Sequence, residues 1–382
     1  MSDGRGSLLV TRNLPPLRGG MERLNLHLAH ALASMGPLAV CGPRGCAAAL
    51  PAGAAVAEVP AERLWRFVIG ALPRALSLAR RRKPVTVIAG SGLSAPFAWA
   101  CARLCRARYI VYLHGLDIVA DSLPYRLAWL PFVRRADLAL ANSHNTAMLA
   151  CRVGVARVEI LHPGTDFPPF RPDIAQAFRA RHDLGARPLM LSVGRLTPRK
   201  GLADFVREAL PAILRVHPDA HLLVIGEDAV HAAKATLGSE LRRVREAAEV
   251  AGVAPAIRFM PHCDDNELAA AYQSADVHVF PVRKVPGDVE GFGMVAIEAA
   301  ANGLPTVAFA VGGVPDAVIE PATGDLVAAG DYSAFAQAVV DRLATRGDNS
   351  ARQAIRGTAA RFGWDAFEAR LRELLAGAGG SL

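Results

Sequence analysis

The sequence predicts an α/β protein made of two doubly wound domains, each built on a parallel β-sheet. Three observations carry that reading. Short apolar runs alternate with longer helical patterns along nearly the whole chain, which is the mark of repeated βαβ units. The composition is 52% hydrophobic but only 6% aromatic, as expected for Val/Leu/Ala-rich strands covered by helices on both faces. The length, 382 residues, accommodates two domains of ordinary size at roughly 100–200 residues each.

In the first half the strand-like runs are Leu8–Thr11, Leu38–Cys41, Val85–Ala89, Tyr109–Leu113 and Leu138–Ala141. A second series follows at Leu189–Val193, His221–Ile225, Ile257–Met260, Val277–Phe280 and Thr306–Phe309. Between them, Gly164-Thr-Asp-Phe-Pro-Pro-Phe-Arg-Pro-Asp173 is Pro-rich and lacks periodicity, the pattern of a linker. The division expected is a first domain over 1–168, a linker over 169–188 and a second domain over 189–362. The tail from Phe362 onward reads as an amphipathic final helix. Ligands of such domains lie at the C-terminal ends of the strands, here in a cleft between the two sheets.

The charge is unevenly placed. Residues 1–168 carry 20 Lys and Arg against 9 Asp and Glu, and the remainder 23 against 26. A basic first half suits an anionic partner. No nucleic-acid motif or aromatic platform accompanies the arginines, which leaves an anionic acceptor or membrane surface and argues against nucleic acid. One stretch, Glu62–Lys83, mixes Trp65, Phe67 and Ile69 with the cluster Arg80–Lys83. It reads either as a membrane-surface helix or as a core helix whose last turn carries cations that complement its dipole. No apolar run approaches the ~18 residues of a transmembrane helix. The N-terminus lacks a signal-peptide core, and the six cysteines show no paired spacing, so reduced thiols and a cytoplasmic location are expected.

The residues richest in chemistry are Asp288–Gly303. Glu290 precedes a Gly291-Phe292-Gly293 turn, and Glu298 lies in an Ala-rich run that should start a helix near Gly293. Open amides at Gly291 and Gly293 and the positive end of the helix dipole suit an anion. A phosphate there would have a carboxylate on either side, placed for the hydroxyls of a sugar and a ribose. The same spacing also fits a plain βα turn with two incidental carboxylates. After the first strand of the second half, Gly194-Arg195-Leu-Thr-Pro-Arg-Lys200-Gly201 puts two cations where a diphosphate would lie; a solvated basic loop is the alternative. Gly19 and Gly20 open the first helix and allow close phosphate approach, or simply make a tight turn. His114 ends a strand in His-Gly-Leu-Asp117 and could meet a sugar hydroxyl or a reacting carbon, or serve as a structural hydrogen-bonder. Glu227 and Asp228 follow another strand, where Gly226 would let a base approach. There is no strand-end Asp-x-Asp, no His/Cys ligand cluster, no P-loop and no Gly-x-Ser-x-Gly elbow. No metal or cofactor is therefore expected.

Taken in order, Pro16-x-x-Gly-Gly-Met-Glu22, His114-Gly-x-Asp117, Ala141-Asn-Ser143, Pro163-Gly-Thr-Asp166, Gly194-Arg-Leu…Lys-Gly201 and the Glu290…Glu298 block resemble the retaining, nucleotide-sugar-dependent glycosyltransferases of family 4. Pro305, Gly312-Gly313 and Thr323-Gly-Asp-Leu-Val327 belong to the same pattern. The resemblance implies the GT-B fold of two Rossmann-like domains, with the donor held by the second and a C-terminal helix, 363–382, crossing back to the first. It implies Arg195 and Lys200 on the diphosphate, with Gly194 in the same loop. Glu298 would hold the ribose, Glu290 the donor sugar, and Gly291–Gly293 the phosphates and sugar. His114 would face the reacting centre, and Gly19–Gly20 the phosphate or acceptor. Two departures stand out: Pro163-Gly-Thr-Asp replaces the commoner Pro-Asn-Gly-x-Asp, and Pro37 stands at the usual His.

The expected function is transfer of a hexose from a nucleoside-diphosphate sugar to a glycan or lipid-linked acceptor in cell-envelope polysaccharide synthesis. It would proceed with retention, without metal, in the cytoplasm or peripherally on the inner face of its membrane. A nucleotide-sugar epimerase and a transferase acting on a small molecule are the competing readings. Donor base, sugar and acceptor are left open.

Overall fold

The structure, a computed structural model, describes residues 6–119, 122–228 and 239–377. It divides into two compact units: Met1–Gly164 with Trp364–Leu382, and Thr165–Gly363.

The first unit holds a seven-stranded sheet in the order β3-β2-β1-β4-β5-β6-β7, parallel at every pairing. Its strands are β1 Ser7–Val10, β2 Leu38–Pro43, β3 Ala55–Val59, β4 Thr86–Ala89, β5 Arg108–Leu113, β6 Leu138–Ala141 and β7 Val158–Ile160. Alternate side chains of a strand point to opposite faces, and the core divides accordingly. Leu8, Val10, Val87, Ala89 and Val111 meet the helices Leu64–Arg82 and Ala95–Cys105. Leu9, Val40, Ile88, Ile110 and Tyr112 meet the helix Gly20–Met35. The helix Trp364–Ala376 completes that second layer through Phe367, Leu371 and Leu374. Its Trp364 ring stacks on His27, with centroids 3.6 Å apart and planes 4° from parallel.

The second unit holds a six-stranded sheet in the order β10-β9-β8-β11-β12-β13, again parallel. Its strands are β8 Leu189–Val193, β9 His221–Ile225, β10 Ile257–Met260, β11 Val277–Phe280, β12 Thr306–Phe309 and β13 Gly324–Val327. All ten strands read from the sequence are present, within a residue or two at their ends. The three that periodicity did not reveal, β3, β7 and β13, are all edge strands. Edge strands are short and only partly covered, and Ala-Val-Ala-Glu-Val, Val-Glu-Ile and Gly-Asp-Leu-Val carry correspondingly little apolar signal.

The expected boundaries shift. The division falls at Gly164–Thr165, where the Thr165 amide donates to the Phe362 carbonyl at 2.7 Å and Thr165 bridges Gly363. The stretch 169–188, expected as a linker, carries the helix Pro172–Arg181 and belongs to the second unit. Pro172 suits a first helical position. Phe178 is buried with Leu184, Leu189 and Tyr272, and Arg179 donates to the Ser274 carbonyl and pairs with Asp276 at 3.1 Å. Polar composition hid this helix, because its anchoring is tertiary.

All six cysteines are free, and burial pushes Cys41, Cys46 and Cys101 up to about 12, so these thiols stay protonated. Among the described residues no helix is long and apolar enough to cross a membrane.

Leu371 is fully buried in the final helix. Leu371→Ala should destabilise the first unit by about 2–5 kcal/mol, read as a lower denaturant midpoint for that unit. An unchanged midpoint would mean the helix is not part of its core.

Candidate active site

A parallel sheet whose strand order runs outward from one strand in both directions leaves a crevice where the direction reverses. In the second unit that point lies between β8 and β11, so the loops leaving those two strands line it. The β8 loop starts at Gly194, whose amide donates to the Ile225 carbonyl at 2.9 Å, and the Leu196 amide reaches the Glu227 carbonyl at 2.8 Å. The loops after β8 and β9 run so close that a Cβ on Gly226 (φ 143°) would lie 2.1 Å from the Gly194 oxygen. Only glycine fits there.

A single 3-10 turn, Pro198–Lys200, then aims Arg199 and Lys200 at the β11 loop. The turn is pinned from that side. The Arg283 amide donates to the Arg199 carbonyl at 2.9 Å, and Arg283 Nε donates to the Pro198 carbonyl at 2.9 Å. Lys200 Nζ donates to Glu290 Oε2 at 2.9 Å and sits 4.6 Å from the centroid of the Phe280 ring. Arg199 donates from Nε to Asp288 Oδ1 at 3.0 Å and from Nη1 to Glu290 Oε2. Arg199, Lys200 and Glu290 keep less than a fifth of their side chains exposed, and Asp288 29%.

Burial alone would raise the Glu290 carboxyl, but Lys200 and Arg199 outweigh it and hold Glu290 below the usual carboxylate range. Beneath the cluster His278, within β11, is fully buried and pushed down to about 3 by burial and by the charge of Lys200. The floor of the site is therefore neutral. Arg195 stands apart: its side chain is exposed and makes no hydrogen bond or ion pair among the described residues, so its two-pronged donor face is open to an incoming anion.

The β11 loop ends at the helix Met294–Ala301, with Gly293 (φ 104°) at its N-cap, one residue from where the sequence put it. The segment before the helix is fixed by the turn after β12. The Gly313 amide donates to the Glu290 carbonyl at 2.9 Å, and a Cβ on Gly313 would lie 2.1 Å from the Gly291 oxygen. Glu298, one turn into the helix, accepts from the Tyr272 hydroxyl at 3.2 Å, and the same hydroxyl approaches the Val295 carbonyl at 3.4 Å.

Several expectations change. The Phe292 side chain faces the core, edge-on to Phe362 at 5.9 Å, so only its backbone remains for a ligand. Glu227 is exposed, but Asp228 is engaged: it accepts from the Ser239 hydroxyl and, at 2.9 Å, from the Leu241 amide at the start of the helix Glu240–Val250. Arg199 and Asp288 were not singled out from the sequence. The adjacency of Arg199 to Lys200 within a Pro-led turn was the available signal, but it gave no way to tell which cation meets Glu290.

The remaining candidates lie in the first unit, where the strand order reverses between β1 and β4. His114, at the end of β5, contacts the Gly90 carbonyl through Nε2 at 2.9 Å. A carbonyl only accepts, so Nε2 carries a proton in this contact. Asp117 accepts from the amides of His114 (3.2 Å) and Gly92 (3.1 Å), which ties the β5 loop to the β4 loop. Gly19 and Gly20 do start the helix Gly20–Met35. Its positive end is already partly met by Glu22, whose carboxylate would touch a Cβ on Gly19 at 2.5 Å and accepts from Asn13 at 2.8 Å.

Two doubly wound parallel-sheet units in one chain fit the GT-B class of glycosyltransferase fold. Residues 175–361 match the family described as Glycosyl transferases group 1, and residues 18–167 match Glycosyltransferase Family 4. The chain belongs to that family and is a nucleotide-sugar glycosyltransferase. It is 32% identical, across 97% of its length and 98% of the relative's, to a GDP-mannose-dependent alpha-(1-6)-phosphatidylinositol monomannoside mannosyltransferase of Mycolicibacterium smegmatis. It is 36% identical, across 62% of its length and 55% of the relative's, to D-inositol 3-phosphate glycosyltransferase 2 of Catenulispora acidiphila. Among solved structures, Anabaena HepE in complex with UDP and glucose superposes with a TM-score of 0.76 at 17% identity, covering 98% of this chain and 100% of that one. At that identity the likeness speaks for the fold.

Glu290→Gln would leave two nearly buried cations facing a neutral amide, at a cost of about 3 kcal/mol near neutral pH. Because the folded-state value of Glu290 is depressed, its stabilising contribution is full above the unfolded carboxylate range and is lost as pH falls through the folded value. Unfolding free energies of the two proteins should therefore differ at neutral pH and converge in acid. A gap that persists unchanged into acid would show that Lys200 and Arg199 do not hold the carboxylate ionised.

Proposed function

We propose that this chain is a retaining, metal-independent mannosyltransferase that takes its sugar from GDP-mannose and passes it to a lipid-linked acceptor bearing a polyol headgroup. The observation that carries the reading is the near-complete alignment, on both sides, with a GDP-mannose-dependent enzyme acting on a phosphatidylinositol mannoside. The cation and carboxylate set of the second unit supports it chemically.

When the bond from the anomeric carbon to the β-phosphate oxygen breaks, the electron pair leaves with the nucleoside diphosphate, and the sugar gains oxocarbenium character. The growing negative charge falls to Arg195, Lys200 and the amides at the start of the helix Met294–Ala301. Lys200 is shared: it neutralises Glu290 before the donor binds and turns toward the diphosphate afterwards, while Arg199 keeps Glu290 ionised. Glu290 takes hydroxyls of the transferred sugar, and Glu298, oriented by Tyr272, takes those of the ribose. The acceptor oxygen attacks from the face the diphosphate leaves, and its proton passes to the departing phosphate oxygen. No protein nucleophile is required. His114, with Gly19 and Gly20, serves the acceptor side. With two arginine or lysine cations on the phosphates, the charge a divalent ion would otherwise neutralise is already met.

GDP-mannose should raise the melting temperature more than UDP-glucose or ADP-glucose, since donor at ~100 times its Kd adds about 2.7 kcal/mol. Arg195→Ala and Lys200→Ala should each weaken GDP binding about 10–100-fold, and a chelator should leave transfer intact. Undiminished turnover in both variants would defeat the proposal. Transfer to phosphatidylinositol mannoside but not to free inositol phosphate is expected, and the reverse would favour the small-molecule acceptor. Sugar released in a new configuration without any acceptor would favour an epimerase.

A further inference from the structure

Arg283 stands beside the cation and carboxylate cluster without sharing its acids. Lys200 and Arg199 hold Glu290, and Arg199 also holds Asp288. Arg283 pairs instead with Asp204, in the first turn of the helix Leu202–Glu208. The transfer chemistry uses neither residue, yet the donors of Arg283 converge on the turn that carries Lys200.

The turn does little to fix itself. It spans only Pro198–Lys200, closed by the Lys200 amide on the Thr197 carbonyl at 2.9 Å and the Gly201 amide on the Pro198 carbonyl at 3.2 Å. A single 3-10 turn has poor hydrogen-bond geometry. Arg283 supplies the rest. Its amide donates to the Arg199 carbonyl at 2.9 Å, its Nε to the Pro198 carbonyl at 2.9 Å, and its Nη1 to Asp204 Oδ2. Both ends of this clamp are rigid. Val282, just before Arg283, is fully buried, and Leu202, Phe205 and Val206 sink the helix that bears Asp204 into the core. The other Asp204 oxygen accepts from Arg207 at 3.0 Å. The loops touch directly here, since a Cβ on Gly201 would lie 2.0 Å from the Pro281 oxygen.

We propose that Arg283 is a positioning residue for the transfer reaction: it fixes the Pro198–Lys200 turn so that Lys200 meets the terminal phosphate of a nucleoside diphosphate, a role that rests on the donor site proposed above. A guanidinium suits the place because it is planar and donates in fixed directions, here to a carbonyl and to a carboxylate at once. A lysine ammonium would keep the charge but not both contacts. Without the clamp the turn is free to follow Lys200 toward Glu290, which Nζ already contacts at 2.9 Å, and the cation is lost to the diphosphate. A misplacement of ~1 Å in such a group can cost about 100-fold in rate.

The test is calorimetric titration of the full chain with GDP and with GMP, which lacks the terminal phosphate. The parent should bind GDP more tightly than GMP. Arg283→Ala should weaken GDP binding about tenfold and leave GMP binding unchanged, and Asp204→Ala should do the same. Arg283→Lys should recover little, because charge alone does not rebuild the clamp. In Lys200→Ala the cation being placed is gone, so adding Arg283→Ala should cost no further GDP affinity. Arg342→Ala is the control. Arg342 also joins a carboxylate, Asp325 at 2.6 and 2.8 Å, to a proline carbonyl, that of Pro321 at 3.2 Å, but beside the edge strand β13. Its loss should lower thermal stability while both nucleotides bind as before. The proposal is overturned if Arg283→Ala keeps the parent's preference, or weakens GDP and GMP alike as a general loss of structure would. It is equally overturned if Arg283→Ala adds its full effect to Lys200→Ala, if Arg283→Lys binds GDP as the parent does, or if Arg342→Ala also abolishes the preference. A parent that does not prefer GDP to GMP overturns the donor reading as well, so the first titration tells the two failures apart.

Discussion

One constraint places every functional group in this protein. A parallel strand cannot turn straight into its neighbour, so each connection must cross over through a helix, and the chain builds outward from one strand to an edge before returning to build the other side. The return leaves two adjacent strands whose loops depart in opposite directions. In the second unit these are β8 and β11, and their loops bring Arg199 and Lys200 to Asp288 and Glu290, although nearly a hundred residues of chain separate the two sets. In the first unit they are β1 and β4, and the loop after β4 meets His114 from the end of β5 at Gly90.

Within the second site the decisive quantity is charge in a poorly hydrated place. Glu290 is nearly buried, and burial alone would raise its carboxyl above the ordinary range. Two cations within contact keep it ionised, and His278 below stays neutral because burial and Lys200 both act against its protonation. The result is a preorganised set whose internal charges are balanced before a ligand enters, apart from the open guanidinium of Arg195.

Much of this was legible in the sequence, and the parts that were not share a cause. Ten of the thirteen described strands, the helix start at Gly293 and the two ends of the Glu290–Glu298 block all follow from local rules: apolar runs, helix propensity, and the one residue that tolerates φ 104°. The other three, β3, β7 and β13, lie at sheet edges, where partial exposure dilutes the apolar pattern. The helix Pro172–Arg181 looks like linker in the sequence because its stability comes from Phe178 and from Arg179 reaching Ser274 and Asp276, contacts with residues far along the chain. Phe292 looked like part of a ligand turn and proved to be a core ring, since a Gly-Phe-Gly sequence does not say which way its middle side chain points.

The sequence by itself determined that this is a two-sheet parallel α/β protein, which residue types stand at its strand ends, and that the combination resembles a sugar-nucleotide transferase. These are properties of neighbours along the chain, where spacing and propensity suffice. Only the tertiary structure decided which cation meets which carboxylate, that Glu22 shields the first helix start, and that one helix between Leu64 and Arg82 shows apolar faces to both core and solvent. Those outcomes depend on strand order and on the side of the sheet a helix covers, and no local pattern encodes either.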